Sequence, residues 1–350
     1  LFGHTAIRYE DPANGIDAVF NYGLFSFNTP NFILRFSLGE TDYQLGATDY
    51  ARFAAEYAFD GRSVWQQTLN LSKEEKAELI RLLQENYLPE NRVYRYNFFY
   101  DNCATRPRDK IEESIDGKVI YPAEPQDGSL SFRDIVHQYC KGHPWARFGI
   151  DLCIGSEADR PITQRQMMFA PFYLMDAFAG AQIVHDSVQR PLVSGKELIV
   201  DALPEEEEGG WMPTPFQCSL LLFILTAAAT IYSIRKRTGL WGVDLILFGA
   251  AGIVGCVLAF LALFSEHPAV SSNFLLLVFH PGQLLLLPYI IYCVRKGKKC
   301  WYLTLNLVVL TLFMVLFPLI PQRFDLAVVP LALCLLIRSA SNLILTSKKK

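Results

Sequence analysis

The chain has 350 residues, of which 51% are hydrophobic, and its formal net charge at pH 7 is -3. This apolar share is too high for one water-soluble domain of such length. Because no long basic block interleaved with aromatic residues occurs before residue 213, nucleic acid is not expected as a partner. The chain starts at Leu1 rather than Met, so we expect that a leader has been removed or left out.

Two short β-like runs open the chain. Residues 4–9 and 16–22 are separated by residues 11–15, whose Asp, Pro, Asn and Gly favour a tight turn. The pattern predicts a β-hairpin with His4 on one arm and Asn21 on the other.

Further β-like segments lie near residues 32–38, 42–45 and 63–71, and a short helical run lies around residues 49–58. The clearest helix of this half follows them. Ser72 and Glu75 have the spacing of a capping box, and Pro89 ends the apolar periodicity.

The most informative stretch is YNFFYDNCATRPRD, residues 96–109. A β-prone aromatic run leads into the turn-forming pair Asp101 and Asn102, and Cys103 follows where a helix is predicted to begin. Pro107 is tolerated only near a helix start, which supports that placement. Backbone N–H groups and the helix dipole at such a position lower the pKa of a thiol and can hold an oxyanion. The stretch therefore predicts a nucleophilic Cys103.

A cysteine nucleophile needs a base, and the base needs a third group that fixes its tautomer. We predict His4 as the base and Asn21 as the orienting group, with Asp17 on the same arm competing for that role. A lone cysteine is more often a small core residue. The turn before Cys103, the helix after it and the hairpin favour the catalytic interpretation.

Eight cysteines are present, and four to five of them lie in or beside the apolar runs of the second half. An oxidising compartment favours a disulfide between Cys140 and Cys153, which leaves Cys103 free; the alternative is that none is bridged. The remaining histidines lack ligand spacing, so no metal site is predicted.

From residue 129 the pattern turns helical, with a long run from 163 to about 188. We predict a catalytic α+β domain over residues 1–128, a helical subdomain packed on its sheet over 129–200, and a linker over 201–215. Four consecutive glutamates, 205–208, indicate that the linker is a solvated tether.

The second half contains five apolar runs, each close to the ~20 residues that cross a bilayer. They are residues 216–234, 243–264, 273–294, 301–320 and 324–345, within a predicted membrane domain of 216–345. Basic residues cluster at 235–237, 295–299 and 348–350, and the positive-inside rule makes those loops cytoplasmic. We therefore expect residues 1 to about 213 outside the cytoplasm and the C-terminus inside.

Two polar positions within these runs attract interest. His280, followed by Pro281 and Gly282, predicts a kink that opens a slot for a lipid chain, lined by His280; a kinked packing site is the alternative. Arg338 is expected to extend toward the cytoplasmic side.

The same segments resemble a known family. FGHTAIR (2–8), FNYG (20–23), YNFFYDNCATR (96–106), PW (144–145) and GIDL (149–152) resemble the Bacteroidota lipoprotein N-acyltransferases called Lnb, and the cysteine segment is the most specific of them. The order of histidine before cysteine is also similar to the circularly permuted papain-like enzymes, such as lecithin–retinol acyltransferase.

The resemblance implies an α+β, permuted papain-like external domain with a helical subdomain, followed by a five-helix transmembrane bundle. It implies a bacterial inner-membrane enzyme with a periplasmic catalytic domain and no cofactor. The reaction would move a fatty acyl chain from a membrane phospholipid, through a thioester on Cys103, to the α-amine of the lipidated N-terminal cysteine of a diacylated lipoprotein.

Other polar residues near the predicted site are candidates for substrate or oxyanion binding. They are Asp17, Tyr22, Asp101, Asn102, Arg106 and Arg108. Either arginine would steer the phosphate head group, or both are solvated helix charges.

Two other classes of function remain open. A membrane-anchored cysteine peptidase or amidase acting on cell-wall peptide would use the same residues, with the spans serving only as an anchor. A membrane sensor or scaffold would carry an inactive papain-like domain.

Overall fold

The computed structural model describes residues 2–25, 30–122, 130–186, 188–202 and 212–347. It divides into two compact units, Leu1–Ile135 with Pro161–Gly210 and Val136–Arg160 with Trp211–Lys350. The predicted boundary at residues 128 and 129, most of the predicted linker with its four glutamates, and the basic end at 348–350 lie outside the described residues.

The first unit is an α+β domain. Its strands are β1 (Ala6–Asp11), β2 (Ile16–Leu24), β3 (Asp42–Asp49), β4 (Val64–Leu69), β5 (Val93–Arg95), β6 (Lys118–Ile120), β7 (Gln182–His185), β8 (Val188–Pro191) and β9 (Val193–Val200). They form a four-stranded antiparallel sheet in the order β1-β2-β3-β5, a β4-β9 pair and a β6-β7-β8 sheet. The helices are α1 (Phe32–Leu38), α2 (Tyr50–Phe59), α3 (Lys73–Tyr87), α4 (Thr105–Ser114), α7 (Gln164–Met167) and α8 (Pro171–Gly180). Helix α5 (Phe132–Tyr139) begins in the first unit and ends in the second, and helix α6 (Pro144–Cys153) belongs to the second unit.

The predicted hairpin and the capped helix are confirmed. Ala6 pairs with Asn21 and Asp11 with Ile16 across β1 and β2. Ser72 and Glu75 form both bonds of the capping box at the start of α3. Side chains from β2, β3, α3 and α8 meet in the core of this unit.

The β-like segment at residues 32–38 was predicted wrongly, because it is helix α1. Gly39 adopts φ 78° after it, and its N–H bonds the carbonyls of Arg35 and Phe36. A left-handed glycine cap of this kind ends helices and satisfies their last carbonyls. This largely apolar run, which contains Arg35 and Ser37, therefore forms a short helix rather than a strand.

The predicted helical subdomain over residues 129–200 is not one body. Helices α7 and α8 are followed by β7, β8 and β9, so the predicted helical run to residue 188 is wrong after residue 180. β-Branched residues such as Ile183 and Val184 pair here with β6.

Residues 136–160 belong to the second unit, where they contact the segments that connect its helices. Near the C-terminal end of α6, the side chain of Asn273 donates to the carbonyl of Leu152 (2.7 Å) and that of Gln322 donates to Ile154 (3.2 Å). Carbonyls at a helix end lack partners within the helix, so these two amides satisfy them.

Four helices of the second unit are long and apolar enough to cross a membrane, among the residues that the structure describes. They are α9 (Pro215–Lys236), α10 (Trp241–Phe264), α13 (Trp301–Leu316, continued by a 3₁₀ turn to Leu319) and α14 (Val328–Ser347). These correspond to the first, second, fourth and fifth predicted runs.

The prediction of five continuous spans is wrong at the third run. It is divided into a 3₁₀ turn (Phe274–Leu277), α11 (Pro281–Leu285) and α12 (Leu287–Lys296). Pro281 and Pro288 each lack the N–H that would continue the helix. The divided segment lies against α10, where a Cβ built on Gly255 would be 2.4 Å from the backbone nitrogen of His280. Glycine at that position permits the close approach of the two backbones.

The prediction for Arg338 is also wrong. Its guanidinium is buried and donates to both carboxylate oxygens of Asp244 (2.7 and 3.0 Å) and to the hydroxyl of Thr230 (3.2 Å). Since unpaired charges are expensive within an apolar bundle, the ion pair holds α14 to α10 and α9.

Replacing Asp244 by Leu leaves Arg338 as a buried charge without its carboxylate. We expect Asp244→Leu to lower the free energy of unfolding of the detergent-solubilised full chain by about 3 kcal/mol. The double variant Asp244→Leu with Arg338→Leu should recover most of that loss, as measured by denaturant titration. A double variant no more stable than Asp244→Leu would contradict this role of the pair.

Candidate active site

The turn before α4 is built around the side chain of Asn102. Its amide oxygen accepts the N–H groups of Ala104 (2.8 Å) and Thr105 (3.0 Å). Its amide nitrogen donates to the carbonyls of Phe98 (2.8 Å) and Phe169 (2.9 Å). With four hydrogen bonds and 4% exposure, Asn102 is a structural residue that fixes the position of Cys103.

Cys103 lies two residues before α4 and beside the hairpin. A Cβ built on Gly23 would be 3.5 Å from the Cβ of Cys103, and Gly23 itself has φ +88°. The backbone N–H groups of Thr5 and of Cys103 itself both act to lower the pKa of the thiol. The residue after His4 therefore lies close to the predicted nucleophile.

Burial raises the pKa of the Cys103 thiol, and the two backbone N–H groups offset this only in part. The expectation that the helix start would lower this pKa is therefore wrong. Desolvation disfavours the thiolate more strongly than the nearby dipoles favour it. A thiol in this state needs a base that removes its proton during attack.

His4 and Asn21 are brought together. The Nε2 atom of His4 lies 3.2 Å from the side-chain oxygen of Asn21, which is itself buried. The competing residue, Asp17, instead forms a two-bond ion pair with Arg8 (2.8 Å for each bond). Of the two predicted orienting groups, Asn21 is the one in contact with the imidazole.

The pKa of His4 is lowered. Burial is the main cause, the hydrogen bond with Asn21 acts in the opposite direction, and the positive charge of Arg62 adds to the lowering. The imidazole is thus neutral at neutral pH, as a general base must be.

Two residues near the site were missed by the sequence analysis. The guanidinium of Arg62 lies 4.1 Å from the centre of the Tyr57 ring. A charge on Cys103 is among the influences that raise the pKa of Tyr57, after burial, while Arg62 lowers it. Both follow β3 in a helix and turn whose sequence carries no motif, so only the folded chain identifies them.

The other predicted substrate contacts have structural partners. Arg106 forms a two-bond ion pair with Asp101 (2.6 and 2.7 Å) and stacks 3.5 Å from the centre of the Tyr94 ring. Arg108 is buried and donates to the carbonyl of Arg165 (2.9 Å). The buried hydroxyl of Tyr22 donates to Asn86 (2.7 Å). These contacts explain their burial and orientation without a substrate.

The remaining predicted residues lie in the second unit. Cys140 and Cys153 are free thiols, so the predicted disulfide is absent; a contact of His137 with Asp151 (2.9 Å) links α5 to α6 instead.

The Nε2 atom of His280 lies 3.2 Å from the hydroxyl of Tyr302 on α13. This contact favours the packing alternative over the lipid slot. In the described part of the chain, no group of three or more His, Cys, Asp or Glu side chains is arranged to hold a metal ion.

Comparison with known families decides the relationship of the chain. The model of the Lnb N-terminal periplasmic domain matches residues 1–127, and that of the Lnb transmembrane domain matches residues 206–350. The chain belongs to the Lnb family. No curated protein and no solved structure matches it. As a member of the Lnb family it is a multi-pass membrane protein with a periplasmic domain, in agreement with the charge of its loops.

Removal of the positive charge of Arg62 should raise the pKa of His4, because that charge contributes to its lowering. If Cys103 is the residue that an acyltransferase of this family acylates, the acid limb of the pH–rate profile for its acylation should move to higher pH in Arg62→Gln. The control is Arg81→Gln, on the exposed face of α3. Intact-mass measurement of the full chain with phospholipid vesicles between pH 5 and 8 gives the rates. An unchanged limb, or movement to lower pH, would contradict the assignment of that limb to His4.

Proposed function

We propose that this protein is a lipoprotein N-acyltransferase with Cys103 as nucleophile and His4 as general base. Membership of the Lnb family supports a role in lipoprotein N-acylation in general. The observation that supports the residue assignment is the position of Cys103 beside Gly23, at the end of the hairpin that carries the hydrogen-bonded His4 and Asn21.

In the first half-reaction, His4 takes the thiol proton and the sulfur of Cys103 attacks an ester carbonyl of a membrane phospholipid. The tetrahedral intermediate collapses as the carbon–oxygen bond breaks. His4 returns the proton to the departing lysophospholipid hydroxyl. The acyl chain remains on Cys103 as a thioester.

In the second half-reaction, the α-amine of the lipoprotein's lipidated cysteine attacks the thioester. The carbon–sulfur bond breaks, an amide forms and His4 carries the amine proton to the thiolate. The two half-reactions together consume no water and need no cofactor. Asn21 holds the imidazole in the orientation that serves both steps.

We assign the N–H groups of Cys103 and Thr5 as the oxyanion donors, because both influence the pKa of the thiol and so lie near the carbonyl that it would attack. The N–H groups of Ala104 and Thr105 are already bonded to Asn102. These two N–H groups replace Asp101 and Asn102, the candidates from the sequence, as the proposed oxyanion donors. Preorganised donors of this kind act on the charge that develops in the transition state.

The arrangement of the first unit supports a permuted papain-like domain. His4 lies two residues before β1, Asn21 lies on β2, and Cys103 lies two residues before α4, much later in the chain. This is the order of histidine strand before cysteine helix that the permuted enzymes share. The proposed acyl donor is a membrane phospholipid, and the proposed acceptor is a lipoprotein that carries lipid. For a multi-pass helical protein with these substrates, we propose a location in the bacterial inner membrane.

The test is complementation of cells that lack lipoprotein N-acylation, with mass spectrometry of the N-terminal peptide of a reporter lipoprotein. We expect wild type and the matched control Cys140→Ala to add one acyl chain, and Cys103→Ala to add none. His4→Ala should lower the rate by about a hundredfold or more.

An extra acyl chain in Cys103→Ala would overturn the mechanism. A wild-type protein that trims muropeptides and leaves the reporter diacylated would favour the amidase alternative.

A further inference from the structure

Helix α1 leaves an unusual apolar surface uncovered. None of its seven residues is buried, and Ile33 is 81% exposed. Together with the end of β2 it forms an exposed group of large apolar side chains, here called the α1 patch: Leu24, Phe25, Ile33, Leu34 and Phe36. Arg35, the charged residue of α1, donates to Asp42 (2.9 Å) and to the carbonyl of Glu40 (3.0 Å). Its charge is therefore compensated at the edge of the patch.

A row of aromatic rings connects the α1 patch to the surroundings of Cys103. The rings of Phe32 and Phe25 stack with centroids 5.3 Å apart, and Phe25 lies 5.0 Å from Tyr43. Tyr43 in turn stacks on Tyr96 at 4.1 Å. At the end of this row, ring atom Cε2 of Tyr96 is 3.7 Å and Cβ of Cys103 is 3.5 Å from the Cβ position built on Gly23.

Exposure falls from 42% at Phe25 to 6% at Tyr43, and Tyr96 and Cys103 beyond it are partly buried. An unbranched apolar chain that starts on the α1 patch would thus meet aromatic side chains along its way to the sulfur. Aromatic faces give such a chain contact without requiring a polar partner.

The exposed area of the α1 patch favours contact with lipid over contact with another protein. Its five side chains are between 39% and 81% exposed, which at about 200 Å² for each side chain leaves on the order of 500 Å² uncovered. A stable protein–protein interface needs roughly 800 Å² on each partner. Patches of this size on membrane-attached proteins suit shallow contact with lipid.

We propose that the α1 patch contacts acyl chains of the periplasmic leaflet, and that Phe25, Tyr43 and Tyr96 guide one chain of a phospholipid to Cys103. The contact with lipid is independent of the reaction. The guidance of the chain rests on the proposed function, because it names the route of the acyl donor.

The direct test places a diazirine amino acid at position 33 of the full chain in native membranes. Two matched positions serve as controls: Val188, 66% exposed in the same unit, and Leu221, 58% exposed within the spanning helix α9. After irradiation, intact-mass measurement should detect phospholipid adducts at positions 33 and 221 and none at 188.

A lipid adduct at 221 without one at 33 would overturn the proposal. So would equal labelling at 33 and 188, or crosslinking of position 33 to protein, which would indicate a second copy or another partner.

A second experiment tests whether the α1 patch helps to bring the acyl chain to Cys103. Ile33→Asp with Leu34→Asp should slow acylation of Cys103 from phospholipid vesicles at least tenfold, while Val188→Asp leaves that rate unchanged. Alkylation of Cys103 by iodoacetamide should be unaffected in all of them. Equal acylation rates in all variants would exclude the guidance. If Cys103→Ala still N-acylates the reporter, the proposed function fails, yet the lipid adduct at position 33 is still expected.

Discussion

The hydrogen bonds of the Asn102 side chain are the constraint on which the candidate site depends. One buried amide ties the turn before α4 to Phe98 on one side and to Phe169 on the other. Its oxygen also accepts the N–H groups of Ala104 and Thr105, so these two groups are not available to another acceptor. A single structural side chain thus fixes the position of the thiol.

Burial has opposite effects on the two titrating groups of the site. It raises the pKa of Cys103 and lowers that of His4, so both are neutral at neutral pH. A neutral pair costs less to hold in an enclosed, apolar site than an ion pair would. On the proposed mechanism, charge develops only when a carbonyl is bound, and the donors at Cys103 and Thr5 then have an anion to stabilise.

The sequence predicted the features that depend on local patterns. Alternation and turn residues predicted the hairpin, Ser72 and Glu75 predicted the start of α3, and Pro107 limited the start of α4 to within two residues of Cys103. The resemblance of short segments to the Lnb family was also confirmed. The contact of His4 with Asn21 was one of two predicted alternatives, the other being a contact with Asp17, because all three residues belong to one hairpin.

Features that depend on tertiary contacts were not predictable in this way. Arg338 was expected to extend toward the cytoplasmic side, because no local pattern indicates that it pairs with Asp244, which is 94 positions away in the chain. Arg106 and Arg108 looked available for a phosphate because the sequence shows neither the turn that brings Asp101 to Arg106 nor the contact of Arg108 with the carbonyl of Arg165, 57 positions away. Tyr57 and Arg62 carry no motif at all. The third span retained its apolar composition, but close packing on Gly255 allowed its backbone to divide.

On the proposed mechanism, an acyl chain rests on Cys103 between the two half-reactions. The most direct measurement is intact-mass analysis of the full chain incubated with phospholipid vesicles and no lipoprotein acceptor, followed by peptide mapping. We expect a mass increase of one acyl chain on the peptide that contains Cys103, removed by hydroxylamine and formed about a hundredfold or more slowly in His4→Ala. An acyl group on another residue, or N-acylation of a later-added lipoprotein with no acyl-enzyme detectable at any time, would contradict it.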